Sequence, residues 1–329
     1  MVWSNFSGDN ANWDSVVQQL NATSPFATSG WAEFKDHSRW TVLRGVRKEN
    51  ERVSSAVQIF WVNILRLFTI AWIPGGVVGS FNGSSSDLLS FISSISGKKF
   101  VYCRISFHIA DDNLLSSTLS QNGWRRAHRF IGAQDTFILA RTKDSLADRS
   151  SLSSNWRRNL ERGLKRNQHT SVWSNPNPLE LHQLFQQMIE FKQEAGLGIA
   201  PSPESLNSLI DSMRERLTIV QTRDQSGHLI AIRGAFRVGS FAWDALAASN
   251  EIARKNYSSY VCAWHLIETL DNLGIQKFDL AGVDPERNLG VFNFKKGLGG
   301  SQTRYLGEWD AARGAPIRQI AGALISRIA

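Results

Sequence analysis

Apolar residues recur at helical spacing over 179–194, at Leu181, Leu184, Phe185, Met188, Ile189 and Phe191. That stretch is predicted to be an amphipathic helix, with Pro178 suited to its first turn. A second helix is predicted over 203–216, and a longer third over 257–273, stopped by Gly274. Between them, 218–222, 229–237 and 241–247 read as strands, with Asp224-Gln225-Ser226-Gly227 as a hairpin turn. A last strand covers 275–282, apolar at Ile275, Phe278 and Leu280 and ended by Gly282 and Asp284-Pro285. The first half repeats the layout. Strands fall at 41–46 and within 56–72, and a helix at 88–95 with Leu88, Leu89, Phe91 and Ile92 on one face. A strand follows at 99–106 with Arg104 at its end, then a short helix at 114–122 and a closing strand at 137–140.

At 329 residues the chain is too long for one ordinary core and suits two domains. They are predicted at 1–148 and 149–307, with 308–329 packing back on the first. A hydrophobic share of 42% with 20% charged residues excludes a disordered chain. The most apolar stretch, 56–73, is broken by Gln58, Asn63, Arg66 and Thr69, so no membrane span is predicted. Asp9, Asn10 and Asp14 interrupt any leader, which points to the cytoplasm. Cys103 and Cys262 each sit in an apolar run and read as buried thiols in a reducing compartment.

Net charge changes the picture more. At +8 it favours a polyanion: tRNA, a nucleotide-linked sugar, or anionic lipid headgroups met by peripheral membrane contact. Arg158, Arg162, Lys165 and Arg166 fall on one face of a helix between the halves. That face is either solvated or a contact for RNA phosphates. The histidines lack metal-ligand spacing, and neither a Gly-x-Ser-x-Gly elbow nor a phosphate-loop lysine is present. No metal or cofactor is expected. Direct transfer remains, in which an amine attacks an activated acyl group; it needs positioning, oxyanion stabilisation and a path for the amine proton.

The densest signal lies near the C-terminal end. Phe278-Asp279-Leu280-Ala281-Gly282-Val283-Asp284 is followed by Phe294-Lys295-Lys296-Gly297-Leu298-Gly299-Gly300 and Tyr305-Leu306-Gly307-Glu308. Lys295 is predicted on a glycine-rich turn, where glycines let backbone approach a ligand and an ammonium can face a developing oxyanion or a phosphate. The series resembles the "fDLGGi", "FKxGFGG" and "yxGE" signature of the Fem family, aminoacyl-tRNA-dependent transferases that add amino acids to peptidoglycan precursors. Ala248-Ser249-Asn250, Tyr257, Tyr260, Trp264 and Ile267 resemble its "GAS…Y.LL.W..I" segment. Phe26 to Lys35 resembles its "FLQSxxWxxxK" opening, and 152–172 its "R.NIR.A.K.GV.V" passage.

The resemblance implies an α/β protein of two tandem GNAT-like (N-acyltransferase) units with mixed sheets, which the repeated helix–helix–meander–helix–strand order matches. It implies an amino acid moved from aminoacyl-tRNA to an amine of a cell-envelope precursor or a related metabolite. Lys295 matches the family lysine that stabilises an oxyanion or phosphate, with Phe294 as pocket wall and Tyr260 nearby. Lys35 matches a lysine that contacts a precursor diphosphate. Arg104 is expected to face a cleft. Asp111 and Asp112 lie where the family has an acid, Glu308 is expected to orient or neutralise Lys295, and Trp243 to stack on a ligand or fill core. Two departures touch the acceptor. The family's "PRGP" is Pro74-Gly75-Gly76-Val77, and a further arginine gives way to Ala195-Gly196-Leu197-Gly198. The alternative is acyl transfer from acyl-CoA to a surface-polysaccharide sugar or another amine. The loop that would hold coenzyme A pyrophosphate, 250–258, has no glycine.

Overall fold

A computed structural model describes all residues except 1, 37–38, 65–66, 82, 143–144, 192–198, 314–320, 323 and 326–329. Its contacts divide the chain into residues 1–134 with 303–329, and residues 135–302. The elements run β1 (Ser4–Asn5), α1 (Asn10–Gln19), α2 (Ser29–Asp36), β2 (Thr41–Glu49), β3 (Arg52–Ile64), β4 (Phe68–Ile73), β5 (Val77–Gly79), α3 (Ser85–Ser96), β6 (Phe100–Ala110), α4 (Asn113–Gln121) and β7 (Arg125–Arg126). They continue β8 (Asp135–Ala140), α5 (Ser154–Leu164), β9 (His169–Val172), α6 (Pro178–Phe191), α7 (Pro203–Met213), β10 (Leu217–Arg223), β11 (Leu229–Val238), β12 (Phe241–Ser249), α8 (Glu251–Lys255), α9 (Ser258–Asn272), β13 (Lys277–Asp279), α10 (Leu289–Lys296) and β14 (Ser301–Arg313).

In the first unit the sheet order is β1-β2-β3-β4-β6-β14, with β5 on β3 and β7 on β14. The pair β4–β6 is parallel, and α3 makes the crossover. Leu88 and Ile92 of α3 are fully buried against Val57, Ile59, Val101 and Ile105, so the predicted helical stripe meets the predicted strands. In the second unit the order is β8-β13-β12-β11-β10-β9. Here β12–β13 is the parallel pair, and α8 and α9 lie between its strands. Helix α9 buries Val261, Cys262, Trp264, Leu266, Ile267 and Leu270 in the unit's main core.

Three elements differ from the sequence pattern. Residues 137–140 were expected to close the first half, yet β8, which contains them, pairs antiparallel with β13, Leu139 opposite Phe278, and belongs to the second unit. Apolar alternation reports a buried strand but not its partner. The strand expected over 275–282 is only β13, because Ala281 takes a left-handed conformation, φ +57. That conformation costs an L-residue about 1–2 kcal/mol and ends the ladder. It falls where the family pattern has its first glycine. The strand expected over 99–106 runs on to Ala110, so Arg104 is mid-strand.

Candidate active site

Lys295 lies on α10 rather than on a turn. Asn288 caps that helix, its Oδ1 accepting from Val291 N at 3.1 Å. The following glycines serve chain packing. A Cβ on Gly299 (φ +85) would sit 2.2 Å from Ser151 O, so the end of α10 presses against the chain before α5. The indole of Trp156 on α5 donates to Phe294 O at 3.1 Å and fixes the same contact.

This docking turns Lys295 inward. Only 7% of the residue is exposed. Its Nζ donates to Gly282 O at 3.1 Å and to Ala281 O at 3.4 Å, so the strained loop after β13 presents carbonyls to the ammonium. Asp244 Oδ2 is 3.7 Å away, too far for a hydrogen bond. An ammonium has three donors, and two of them meet the Gly282 and Ala281 carbonyls. Burial pushes the Lys295 pKa down, Arg233 adds to this, and Asp244 and Asp279 pull it back up. Beneath the loop, Asp279 accepts from Ala281 N at 2.8 Å and from Thr136 Oγ1 at 2.6 Å.

Beside the lysine, Phe294, Trp156 and Tyr260 form an aromatic cluster. Ring centroids are 5.6 Å apart for Trp156–Phe294, 5.1 Å for Tyr260–Phe294 and 5.0 Å for Trp156–Tyr260. Tyr260 and Phe294 are half-buried. Arg233 lies over the Phe294 ring at 5.5 Å. Trp243, 8% exposed, is a buried strand residue of β12.

In the first unit the candidates separate. Lys35 stands at the end of α2, 5.6 Å from the ring centroids of both Trp31 and Trp72 and 6.0 Å from that of Phe34. Burial lowers its pKa. An aromatic-walled lysine of this kind can meet phosphate oxygens with little competition from water. Arg104 does not face a cleft. It is 1% exposed, gripped by Asp310 through Nε at 2.7 Å and Nη2 at 2.9 Å, with Glu308 at 3.3 Å from Nη1. Glu308 does not serve Lys295: its carboxylate takes Arg104 and the amides of Ile131 and Gly132 at 2.9–3.0 Å. Burial raises its pKa while those amides and Arg104 hold it down.

The acetyltransferase (GNAT) domain family matches residues 153–296. No curated protein matches the sequence. Among solved structures, FemX superposes with a TM-score of 0.79 at 14% identity, covering 98% of this chain and 100% of that one. The chain has a Fem-like tandem GNAT fold. The structure of L-PGS from Bacillus licheniformis (TM-score 0.60, 12% identity, 97% and 96% covered) has the same fold. So does a tandem GNAT protein from the clavulanic acid pathway (0.57, 10%, 95% and 98%).

Within the Fem-like fold, Arg158, Arg162, Lys165 and Arg166 are all exposed at or just beyond α5. Arg162 lies over the Tyr257 ring at 5.7 Å and donates to its hydroxyl at 3.3 Å. Gly163 lets α5 approach α9: a Cβ there would sit 2.6 Å from Val261 Cγ2. The two acids of the first unit each have a structural partner. Asp112 caps α4, accepting from Leu114 N at 2.7 Å and Leu115 N at 3.1 Å. Asp111 pairs with Arg126 at 3.5 Å. Asp112→Ala is expected to cost about 1 kcal/mol of stability, measured by urea denaturation, with transfer activity unchanged. Residues 195–198 lie outside the described residues.

The sequence did not single out Arg233, Asp244 or Trp156 as site residues. A signal existed: Arg233 and Asp244 are opposite charges inside consecutive apolar strands, and charges in such runs are rarely buried unpaired.

Proposed function

We propose that this protein is an aminoacyltransferase that moves an amino acid from aminoacyl-tRNA to an amine of a cell-envelope precursor or a related small metabolite. The observation that carries this reading is one continuous path on the second unit. It starts at the exposed cations of α5, where Arg162 lies over Tyr257. It passes to Tyr260 at 6.5 Å between ring centroids, then to Phe294 at 5.1 Å, and ends beside the buried Lys295. Phosphates meet cations, bases of a single-stranded end stack on the rings, and the ester reaches the ammonium.

The acceptor amine attacks the ester carbonyl, and the Lys295 ammonium stabilises the oxyanion that forms. The new C–N bond replaces the ester C–O bond. The amine proton leaves with the ribose oxygen, so no covalent enzyme intermediate is needed. Lys35, between Trp31 and Trp72, is the proposed contact for an acceptor diphosphate. A tRNA donor implies work in the cytoplasm. Among the described residues no helix is long and apolar enough to cross a membrane.

The acetyltransferase family match favours a second reading, acyl transfer from acyl-CoA. Against it, 251–255 forms α8 and carries the Glu251–Lys255 pair at 2.9 Å, in place of a glycine-rich pyrophosphate loop. Incubation with charged tRNAs or acyl-CoA and a panel of amines separates the two. Transfer from acyl-CoA alone would exclude the first reading. RNA binding supplies a further check. Replacing Arg158, Arg162, Lys165 and Arg166 together with alanine is expected to lower the slope of log K against log salt by about three, measured by filter binding of tRNA.

A further inference from the structure

In a regular ladder, β12 would turn Asp244 away from Lys295. Strands β11 and β12 pair with Arg233 opposite Ala247 and Gly234 opposite Leu246; the register then jumps, and Ala235 faces Asp244. Unbroken pairing would have set Ala235 against Ala245 and sent Asp244 to the other face of the sheet. The extra residue, Ala245, makes a bulge that brings Asp244 to the face of Arg233. There its Oδ1 accepts from Arg233 Nε at 2.7 Å and its Oδ2 from Nη2. Oδ2 also lies 3.7 Å from Lys295 Nζ. The Asp244 side chain is 7% exposed and that of Arg233 13%, so the grip forms largely out of water.

We propose that Asp244 is the positioning residue for Lys295: clamped by Arg233, it holds the ammonium over the Ala281 and Gly282 carbonyls and keeps it charged. Three charged groups act on Lys295: Asp244 from β12, Arg233 from β11 and Asp279 from β13. Arg233 repels it. Asp279 is already committed to Thr136 and Ala281 N. Asp244 is the carboxylate within ion-pair range. The catalytic consequence rests on the aminoacyl-transfer reading; the electrostatic content does not.

The test is competitive labelling of the full-length protein with trace acetic anhydride across the alkaline range, each lysine followed by mass spectrometry. In Asp244→Asn, Lys295 is expected to lose its proton at least about one pH unit lower than in the wild type, while exposed Lys255 and Lys277 titrate as before. In the transfer assay kcat then falls at alkaline pH, with KM for the charged tRNA unchanged. An unchanged Lys295 titration would overturn the proposal. Should the variant fail to fold, the wild type alone decides: Lys295 must keep its proton at neutral pH, and a neutral lysine there overturns it. The labelling needs no substrate, so a failure to find aminoacyl transfer leaves this result standing.

Discussion

Lys295→Met is expected to reduce transfer by about 10²- to 10³-fold in kcat, the loss seen when one preorganised oxyanion donor is removed. Methionine fills the space of the lysine stem without the charge, and Asp244 keeps its two bonds to Arg233. The fold should therefore survive, with stability at neutral pH within about 1 kcal/mol of the wild type or above it, because a buried cation is removed. The pH dependence has a definite sign. Burial holds the folded pKa of Lys295 below its ordinary value of 10.5, so the unfolded chain binds that proton more tightly. The stability cost is full below the folded pKa and fades as pH rises from there towards the unfolded value. Thermal melting of wild type and variant should thus converge on the alkaline side. Unimpaired transfer by a folded Met variant would remove the lysine from the reaction.

Arg104→Ala should be the most damaging single change in the first unit, at about 3–5 kcal/mol. The guanidinium supplies two bonds to Asp310 and one contact to Glu308, and both acid side chains are buried. Removing it strands two acids in a low-dielectric core. They would then hold protons more tightly folded than unfolded, so the loss is largest at high pH and shrinks as pH falls. Urea denaturation at several pH values measures both features. Arg104→Lys should fall between, since an ammonium cannot bond Asp310 in bidentate fashion.

Periodicity made most elements legible before any coordinates. The stripe at Leu88 and Ile92 corresponds to a single buried face, and the apolar run at the start of 229–237 to a strand buried on both faces, so local pattern reports burial well. What the pattern missed shares one cause. Arg104 read as a strand-end charge because Asp310, its partner, is 206 positions away. Residues 137–140 read as the end of the first half because their partner β13 lies far along the chain. Glu308 was expected to orient or neutralise Lys295, although its oxygens go to Arg104 and two amides. The motif placed Lys295 on a glycine-rich turn, whereas it lies on a helix whose following glycines serve packing. Asp244 reaches its site only through a one-residue bulge, which alternation alone cannot reveal.

The most direct measurement is single-turnover transfer of radiolabelled amino acid from a set of charged tRNAs to an amine pool from cell-envelope precursors. Wild type and Lys295→Met should be run side by side. Label is predicted to move from tRNA to an acceptor with the wild type and at least about 10²-fold more slowly with the variant. No transfer from any charged tRNA, with transfer from acyl-CoA under the same conditions, would contradict it.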